Sequence, residues 1–242
     1  KEVTNDLVGY WALDGDSTVS VLDFDGDGDW VTIGDMGQLT SGHSVSIWWL
    51  NDQASAENNL FRLNNTLHGA SVFSGSNVVF YFNRAPYTNT NSGSSFSYST
   101  ATWYHACWTM DSDTTLKTYI NGSLIDTDAD IDVNPLHHDL SNVVLGTGGY
   151  GPWDGKLDQF AIYDTELTAA QVLTQYNLGR NGDYSSDDNL KGYWRTNTAS
   201  TATDAIVDLS GNGYHGTVSG DPTLTQVITT DSTSNSNDGD ML

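Results

Sequence analysis

Apolar and polar residues alternate along much of the chain, which is the pattern of β-strands that bury one face. The alternation is clearest in SVSIWWL, NVVFYFN, WYHACWTM and KLDQFAIYD, at residues 44–50, 77–83, 103–110 and 156–164. Residues 116–127 are predicted to form a hairpin, because Asn121 and Gly122 accept the positive φ angles of a type I′ turn. The pattern therefore predicts an all-β protein with short antiparallel strands joined by turns.

One helix is predicted, in the segment ELTAAQVLTQYNLGR. Thr168 and Gln171 have the spacing of a capping box at its start, and Gly179 fits the position after its end. The predicted apolar stripe consists of Val172, Leu173 and Tyr176. Strands are thus expected up to residue 164, followed by a single short helix.

The composition becomes more polar towards the C-terminus. Residues 181–188 (NGDYSSDD) are predicted to be a linker, and residues 189–194 (NLKGYW) repeat residues 6–11 (DLVGYW). We therefore expect two units, a β-sandwich over residues 1–180 and a polar C-terminal extension over residues 181–242.

The formal net charge of −23 comes almost entirely from aspartate, because only Glu2, Glu57 and Glu166 among the 31 acidic residues are glutamates. Nucleic acid is excluded as a partner, since no basic stripe exists to neutralise phosphates, and an anionic membrane surface is disfavoured for the same reason. Two explanations of the charge stay open. One is solubility through self-repulsion, and the other is a saline, calcium-containing environment that screens the charge.

Three further features narrow the class of protein. Cys107 is the only cysteine, which excludes an intrachain disulfide and leaves the redox compartment open. No apolar run of about 18 residues is present, so membrane insertion is not expected. The chain begins with Lys1 rather than methionine, and we expect a processed or partial chain.

Five segments occur in the order found in one known family. They are LVGYWALD, LDFDGDGDWVTIGD, SVSIWWL, WYHACWTMDSDTTLKTYINGSLID and GKLDQFAIYDTELTAAQVLTQYN. On these segments the chain resembles the laminin-G-like, concanavalin A-like lectin/glucanase superfamily over residues 7–180. The resemblance implies a two-sheet antiparallel jelly-roll sandwich with one short helix on its C-terminal side.

One segment departs from the order of that family. DLSGNGYHGTV, at residues 208–218, resembles an element that normally lies between the GYW strand and the LDFDG strand. In this chain it lies near the C-terminus instead. Either the extension completes the sandwich in a rearranged order, or it belongs to a second, incomplete module or contacts a neighbouring subunit.

Some members of this superfamily are glycoside hydrolases, whose retaining mechanism needs two carboxylates about 5 Å apart. The family presents them in a Glu-x-Asp-x-Glu strand, and no glutamate of this chain lies in such a pattern. A polysaccharide lyase would need a Tyr/His base, for which Tyr104 and His105 are present. His105 lies in a predicted strand and is interpreted as a core histidine with satisfied hydrogen bonds. A non-catalytic protein is therefore expected.

The stretch LDFDGDGDWVTIGD raises the question of a metal site. An EF-hand that starts at its first aspartate would need a glutamate where Gly34 stands, so this site is excluded. A strand, a tight turn and a second strand explain the pattern, and they are compatible with calcium (Ca2+) bound at the turn by Asp25, Asp27 or Asp29. The resemblance also implies a structural calcium ion held by Asp158.

Carbohydrate sites place an aromatic face against the apolar face of a sugar ring, with polar groups around it. The glycine-rich loop GTGGYGPWDG offers Tyr150, Trp153 and Asp154 as such a site. Two arrangements stay open, because Trp153 either is exposed in this loop or folds back over the sheet edge. A second polar loop is predicted over residues 84–95, with Tyr87 as its exposed aromatic residue.

These observations favour a non-catalytic recognition or adhesion module that binds a glycan, with calcium as its expected cofactor. We expect it to be extracellular or on a virion surface, in a saline environment. The alternative is a structural module of a viral capsid decoration or fibre, whose partners are copies of itself or other structural proteins. The polar extension favours this alternative, whereas exposed Tyr150 and Trp153 would favour glycan binding.

Overall fold

The computed structural model describes residues 18–39, 42–53, 58–64, 68–73, 77–84, 87–111, 115–129, 139–147, 151–196 and 206–228. Within these ranges, fifteen β-strands form two antiparallel sheets, accompanied by one α-helix, α1 (Ala169–Leu178). The predicted all-β, two-sheet jelly-roll sandwich with one short helix is therefore confirmed.

Sheet A contains, in spatial order, β10 (Ser123–Asp128), β9 (Leu116–Ile120), β8 (Trp103–Met110), β3 (His43–Asn51), β12 (Asp154–Tyr163), β1 (Thr18–Asp25) and β15 (Thr223–Ile228), with β13 (Leu190–Trp194) also beside β12. Sheet B contains, in spatial order, β14 (Thr217–Ser219), β2 (Trp30–Gly34), β11 (Val143–Leu145), β4 (Asn58–Arg62), β5 (His68–Phe73), β6 (Asn77–Arg84) and β7 (Tyr87–Ser95). The predicted hairpin is β9–β10, and Asn121 and Gly122 have the expected positive φ angles of 49° and 74°.

The inner faces of the two sheets enclose an aromatic core. Trp108 of β8 packs edge-on against Phe61 of sheet B, with ring centroids 5.7 Å apart, and Phe160 of β12 lies 5.2 Å from the same Phe61 ring. These inward residues alternate with outward ones, as the period of two along each strand predicts. β3 is buried on both faces, because a second apolar cluster beneath α1 covers the outer side of sheet A.

Helix α1 has the capping predicted from its sequence. The Thr168 side chain accepts the N–H of Gln171, and the Gln171 side chain accepts the N–H of Thr168. The predicted stripe is wrong at Leu173, which is exposed, while the polar Gln175 is buried and donates to the Tyr163 hydroxyl at 2.8 Å. Gln175 is buried because its side chain can donate to the buried Tyr163 hydroxyl, so the spacing of apolar residues alone does not predict which residues of α1 are buried. Within the described part of the chain, no helix has the length and apolar content to cross a membrane.

The aspartate-rich stretch after β1 carries the chain from one sheet to the other. β1 pairs with β12 in sheet A, whereas β2 pairs with β11 in sheet B. Gly26 and Gly28 have φ angles of 80° and 81°, a backbone conformation that favours glycine, which accounts for the alternation of glycine and aspartate. The predicted strand, turn and strand are confirmed, but the second strand enters the opposite sheet, because local alternation does not specify a pairing partner.

The C-terminal extension supplies strands to both sheets. β13 pairs with β12 and β15 pairs with β1 in sheet A, while β14 pairs with β2 in sheet B. The turn before β14 is held by buried Asp208, whose Oδ1 accepts the N–H groups of Tyr193 (3.1 Å) and Ser210 (2.9 Å). Its Oδ2 accepts the N–H of Tyr214 at 2.9 Å. The described residues of the extension thus complete the sandwich in a rearranged order.

We expect Asp208→Ala to lower the free energy of unfolding by about 2–4 kcal/mol, because backbone N–H groups in a buried turn lose their acceptor. Urea unfolding followed by tryptophan fluorescence measures the loss. Asp35→Ala is the control, since Asp35 is exposed and its side chain accepts the N–H of Gly37 at 2.8 Å. Equal losses in the two variants would contradict the role given to Asp208.

Candidate functional site

Aspartates from three parts of the chain meet at one rim of the sandwich. Asp25 ends β1 and lies opposite Asp154, the first residue of β12. Asp29 precedes β2, and Asp221 lies in the turn between β14 and β15. We call Asp25, Asp29, Asp154 and Asp221 the acidic rim. Asp27 lies in the same exposed turn, and its N–H donates to Asp25 Oδ1 at 2.8 Å.

Three members of the acidic rim approach one another closely. One carboxylate oxygen each from Asp25, Asp29 and Asp221 lies within 4.8 Å of the others. Asp29 is buried, its Oδ1 accepts the N–H of Asp221 at 2.7 Å, and its Oδ2 accepts the N–H of Asp25 at 3.4 Å. Asp29 therefore joins the turn after β1 to the turn before β15.

This cluster has a donor set that fits calcium. Calcium takes six to eight oxygen ligands at about 2.3–2.6 Å, so two oxygens on one ion lie at most about 5 Å apart. The oxygens of Asp25, Asp29 and Asp221 satisfy this limit, and none of the ion pairs between described residues involves them. A bound calcium ion would supply direct coordination of ligand oxygens. Of the three aspartates considered for this turn, Asp25 and Asp29 are in the cluster and Asp27 is not, while Asp221 joins them.

Sequence reasoning missed Asp221, and no local pattern marks it. Asp221 and Asp29 are 192 positions apart, and only the pairing of β14 with β2 and of β15 with β1 brings them together. Gly220 permits the close approach, because a Cβ at this position would lie 2.2 Å from Asp29 Oδ1.

Asp154 extends the acidic rim towards β3. Its Oδ2 accepts a hydrogen bond from Gln53 Nε2. Lys156 Nζ lies 3.2 Å from Asp23 Oδ2 and 2.8 Å from Asp52 Oδ2. Partial burial, followed by the neighbouring aspartates, raises the pKa of the Asp154 carboxyl above its usual value, while the bond from Gln53 lowers it. This part of the rim therefore combines several carboxylates with one ammonium group.

Trp30 adds an aromatic surface beside the cluster. It follows Asp29 directly and pairs with Ser219, which lies two residues before Asp221. Its side chain is 36% exposed, in contrast to the buried Val31 that follows it. Sequence reasoning missed Trp30 as a candidate site residue. Alternation along β2 contained the signal, because an inward-facing Val31 places the neighbouring Trp30 on the outer face.

The prediction of an exposed aromatic platform in the glycine-rich loop is wrong for Trp153. This side chain is fully buried in the core and packs edge-on against Trp49, with ring centroids 6.1 Å apart. The backbone N–H of Trp153 donates to the carbonyl of Gly146 at 2.7 Å, which closes the loop on itself, while its indole N–H has no partner among the described residues. Trp153 has the folded-back arrangement and cannot present a ring face to a sugar. Tyr150 lies outside the described residues.

The prediction of a polar loop over residues 84–95 is also wrong, because most of this range forms a strand. β7 runs antiparallel to β6, and Tyr87 lies opposite Arg84 in the register. β7 is the edge strand of sheet B, where backbone pairing with one neighbour suffices and apolar side chains are not required. Tyr87 is therefore the first residue of a strand.

Asp158 is buried at a bulge of β12. Its Oδ1 accepts three hydrogen bonds, from the N–H of Gln159 (2.8 Å), the N–H of Thr196 (3.0 Å) and the hydroxyl of Thr196 (2.9 Å). Its Oδ2 has no hydrogen-bond partner among the described residues. Burial raises the pKa of Asp158 to about 6, against the lowering effects of the Thr196 hydrogen bonds and the Arg180 charge.

The described surroundings of Asp158 do not fit the calcium ion that the family resemblance implied. Asp158 borders a cavity whose other lining residues are apolar except for Thr196. The cavity has roughly the room that one water molecule needs. Calcium would require several more oxygen ligands. In the described structure, Asp158 ties β12 to the chain after β13, and calcium at this residue stays a prediction.

Residues 25–173, more than half of the chain, match the sequence model of the concanavalin A-like lectin/glucanases superfamily. The chain belongs to this superfamily. The resemblance seen in its motifs is thereby confirmed. No curated protein matches the chain.

Solved structures with this superfamily fold include several carbohydrate-binding proteins. A Bacteroides ovatus protein to which carbohydrate binding is ascribed matches with a TM-score of 0.66 and 16% identity over 87% of this chain, which spans 60% of that protein's length. The CBM40 domain of the Ruminococcus gnavus IT-sialidase, bound to α2,3-sialyllactose, matches with a TM-score of 0.53 and 13% identity (67% of this chain, 99% of that one). Domain 4 of the extracellular arabinanase AbnA from Geobacillus stearothermophilus, in complex with arabinotriose, matches with a TM-score of 0.50 and 20% identity (63% and 74%). At these identities the likenesses show a shared fold.

In this superfamily member, Tyr104 and His105 do not form a catalytic pair. Consecutive strand residues face opposite sides. Tyr104 packs against Trp49 of the core, while His105 contacts both Trp48 and Tyr176 of α1, whose rings stack on each other. Burial lowers the pKa of His105 to about 3. The expectation of satisfied hydrogen bonds is wrong, because neither ring nitrogen of His105 has a partner among the described residues.

The pKa of Asp158 predicts a specific dependence of stability on pH. Its folded-state value of about 6 lies above the ordinary 3.8, so the folded chain holds this proton more tightly than the unfolded chain. The resulting stabilisation is fully present below about pH 4 and is lost as the pH rises through about 6, which amounts to about 3 kcal/mol. Asp158→Asn keeps the acceptor Oδ1 and cannot ionise, so this loss should disappear in urea unfolding between pH 4 and 8.

Asp35→Asn is the matched control, because Asp35 is exposed and the substitution removes the same charge. Its unfolding free energy should follow that of the unmodified chain across the pH range. A pH dependence that is identical in Asp158→Asn and in the unmodified chain would contradict the assignment of this titration to Asp158.

Proposed function

We propose that the chain is a non-catalytic glycan-recognition module whose ligand site is the acidic rim, completed by a calcium ion and by Trp30. The observation that carries the proposal is an exposed Trp30 directly after Asp29 in the chain, where Asp29 is one of three aspartates whose carboxylate oxygens cluster at the rim. An exposed ring next to a cluster of oxygen ligands is the combination that carbohydrate recognition requires.

Each component has a distinct role in this proposal. The Trp30 ring packs against the apolar face of a sugar, and carboxylate oxygens accept hydrogen bonds from sugar hydroxyls. Calcium offsets the repulsion between Asp25, Asp29 and Asp221 and coordinates ligand hydroxyl oxygens. Asp29, which is buried and bonded to two backbone N–H groups, holds the two turns in place around the ion.

Structures of the same fold support the class of ligand. The proteins that match this chain include one in complex with arabinotriose and one bound to α2,3-sialyllactose. The fold is used for several functions, so this support is by analogy, and the site residues carry the chemical argument.

The net charge of −23 supports placement outside the cell or on a virion surface, in saline, calcium-containing surroundings. Screening by salt reduces the self-repulsion of such a chain, and millimolar calcium suits sites built from few carboxylates. The module serves recognition or adhesion in this setting.

The alternative function, a structural module of a capsid decoration or fibre, rested on an extension that gains stability by packing on a neighbour. β13, β14 and β15 pack instead within the sandwich of their own chain. For the described residues of the extension, this observation favours glycan recognition over the alternative.

A glycan array probed once with calcium and once with EDTA tests the proposal. We expect a calcium-dependent signal that Asp25→Asn/Asp221→Asn reduces at least about ten-fold, since loss of two charged ligands weakens calcium binding. Asp126→Asn/Asp128→Asn on β10 changes the net charge equally, away from the cluster, and should retain the signal. Absence of signal in both buffers, with a monodisperse protein, would contradict the proposal for the glycans on the array.

Trp30→Ala tests the aromatic component separately. We expect glycan binding to weaken by about 1–3 kcal/mol while the melting temperature stays nearly unchanged, because an exposed ring contributes little to the core. Leu124→Ala is the control, since Leu124 is an exposed apolar residue (51%) on β10. Equal binding by both variants would exclude Trp30 from the site.

A further inference from the structure

β13 occupies a defined position in sheet A, which we call the β13 slot. Phe160, Ala161 and Ile162 of β12 form one side of the slot, where they pair with Trp194, Tyr193 and Gly192. β1 lies on the same side of β12, but pairs with residues 154–157. The second half of β12 therefore depends on one short strand for its pairing on this side.

Three consecutive residues of β13 meet strict requirements. Gly192 has no room for a side chain, because a Cβ would lie 2.3 Å from the Trp194 ring and 2.8 Å from Met36 Cε. The Tyr193 ring stacks on Tyr184, at a centroid distance of 5.3 Å, and the Trp194 ring stacks on Phe160 at 5.4 Å. The slot thus selects the sequence Gly-Tyr-Trp.

The remaining contacts of β13 use mainly backbone atoms. Asp208 Oδ1 accepts the N–H of Tyr193 at 3.1 Å, and Asn212 Nδ2 donates to the carbonyls of Leu190 (3.0 Å) and Lys191 (3.1 Å). Backbone contacts do not depend on side-chain identity. Any strand with Gly-Tyr-Trp in the same register would preserve them.

The chain contains a second segment with this sequence. Residues 6–11 (DLVGYW) align with residues 189–194 (NLKGYW), so Gly9, Tyr10 and Trp11 correspond to the three selected residues. The leucine two positions before the glycine is also shared. Within the aligned segment, the differences fall at positions 189 and 191, where the backbone carbonyls accept hydrogen bonds from Asp164 and Asn212.

The N-terminal segment is also within reach of the slot. Six residues, 12–17, separate it from Thr18 at the start of β1, and they span at most about 20 Å. β1 runs antiparallel to β12, so its first residues extend towards the half of β12 that borders the slot.

We infer that the β13 slot is a strand-binding site with two alternative ligands in the same chain, β13 and residues 6–11. β13 is the favoured ligand for two reasons. The Thr196 hydroxyl donates to Asp158 Oδ1, and Lys191 lies over the Tyr214 ring at 5.5 Å. The N-terminal segment has Leu13 and Val8 at the corresponding positions and lacks both contacts.

Three variants of the full chain test the inference: Gly192→Val, Gly9→Val and the double variant. Valine at 192 should expel β13, because its Cβ meets the Trp194 ring. If residues 6–11 then bind, the melting temperature of Gly192→Val falls by only about 5 °C. Gly9→Val leaves the melting temperature unchanged. In the double variant, the melting temperature falls by far more than the sum of the decreases in the two single variants.

Trypsin gives an independent readout of the exchange, because Lys191 and Arg195 lie in and next to β13. We expect cleavage after these residues to be at least about ten-fold faster in Gly192→Val than in the unmodified chain, since cleavage follows the population of the released strand. Cleavage in Gly9→Val should match that of the unmodified chain. Identical melting temperatures and cleavage rates for Gly192→Val and the double variant would overturn the inference, because Gly9 would then have no role.

Discussion

The pairing of β12 with its neighbours is the constraint on which the rest of the structure depends. β3 pairs with β12 along one side, whereas β1 and β13 share the other side. Buried backbone groups must be hydrogen-bonded, so both the beginning of the described chain and its C-terminal extension are needed to complete this one strand. Asp158 lies between the residues of β12 that pair with β1 and those that pair with β13, and its bonds to Thr196 join β12 to the chain after β13. This arrangement explains why an extension of largely polar sequence is part of the sandwich.

The outer face of sheet A is covered by α1 and the segment that follows it, and this cover buries polar groups. Gln175 finds a partner in the Tyr163 hydroxyl, whereas the His105 ring nitrogens have none among the described residues. Aromatic packing of His105 with Trp48 and Tyr176 offsets part of that desolvation cost. A neutral, buried His105 is thus a packing element of this face.

The acidic rim depends on the same long-range pairing as the core. Asp25 and Asp154 are neighbours because β1 pairs with β12, and Asp221 joins Asp29 because β14 and β15 extend the two sheets. Asp29 connects the two turns through backbone hydrogen bonds, so its burial supports both the fold and the candidate site. The site therefore belongs to the rearranged sandwich as a whole, and removal of the extension would remove one of its three clustered carboxylates.

Local features of this protein were determined by the sequence alone. The capping box of Thr168 and Gln171, the turn at Asn121 and Gly122 and the alternation along β3, β8 and β12 depend on contacts within a few residues, so their patterns are visible in the chain. Burial of Trp153, the strand formed by the polar residues of β7 and the contact of Asp221 with Asp29 depend on distant partners. Asp29 and Asp221 are 192 positions apart, and such contacts leave no periodic trace because closure of a long loop depends on sheet topology. The sequence determined the class of fold and an aspartate-rich turn, and only the tertiary structure decided which carboxylates meet and which tryptophan remains exposed beside them.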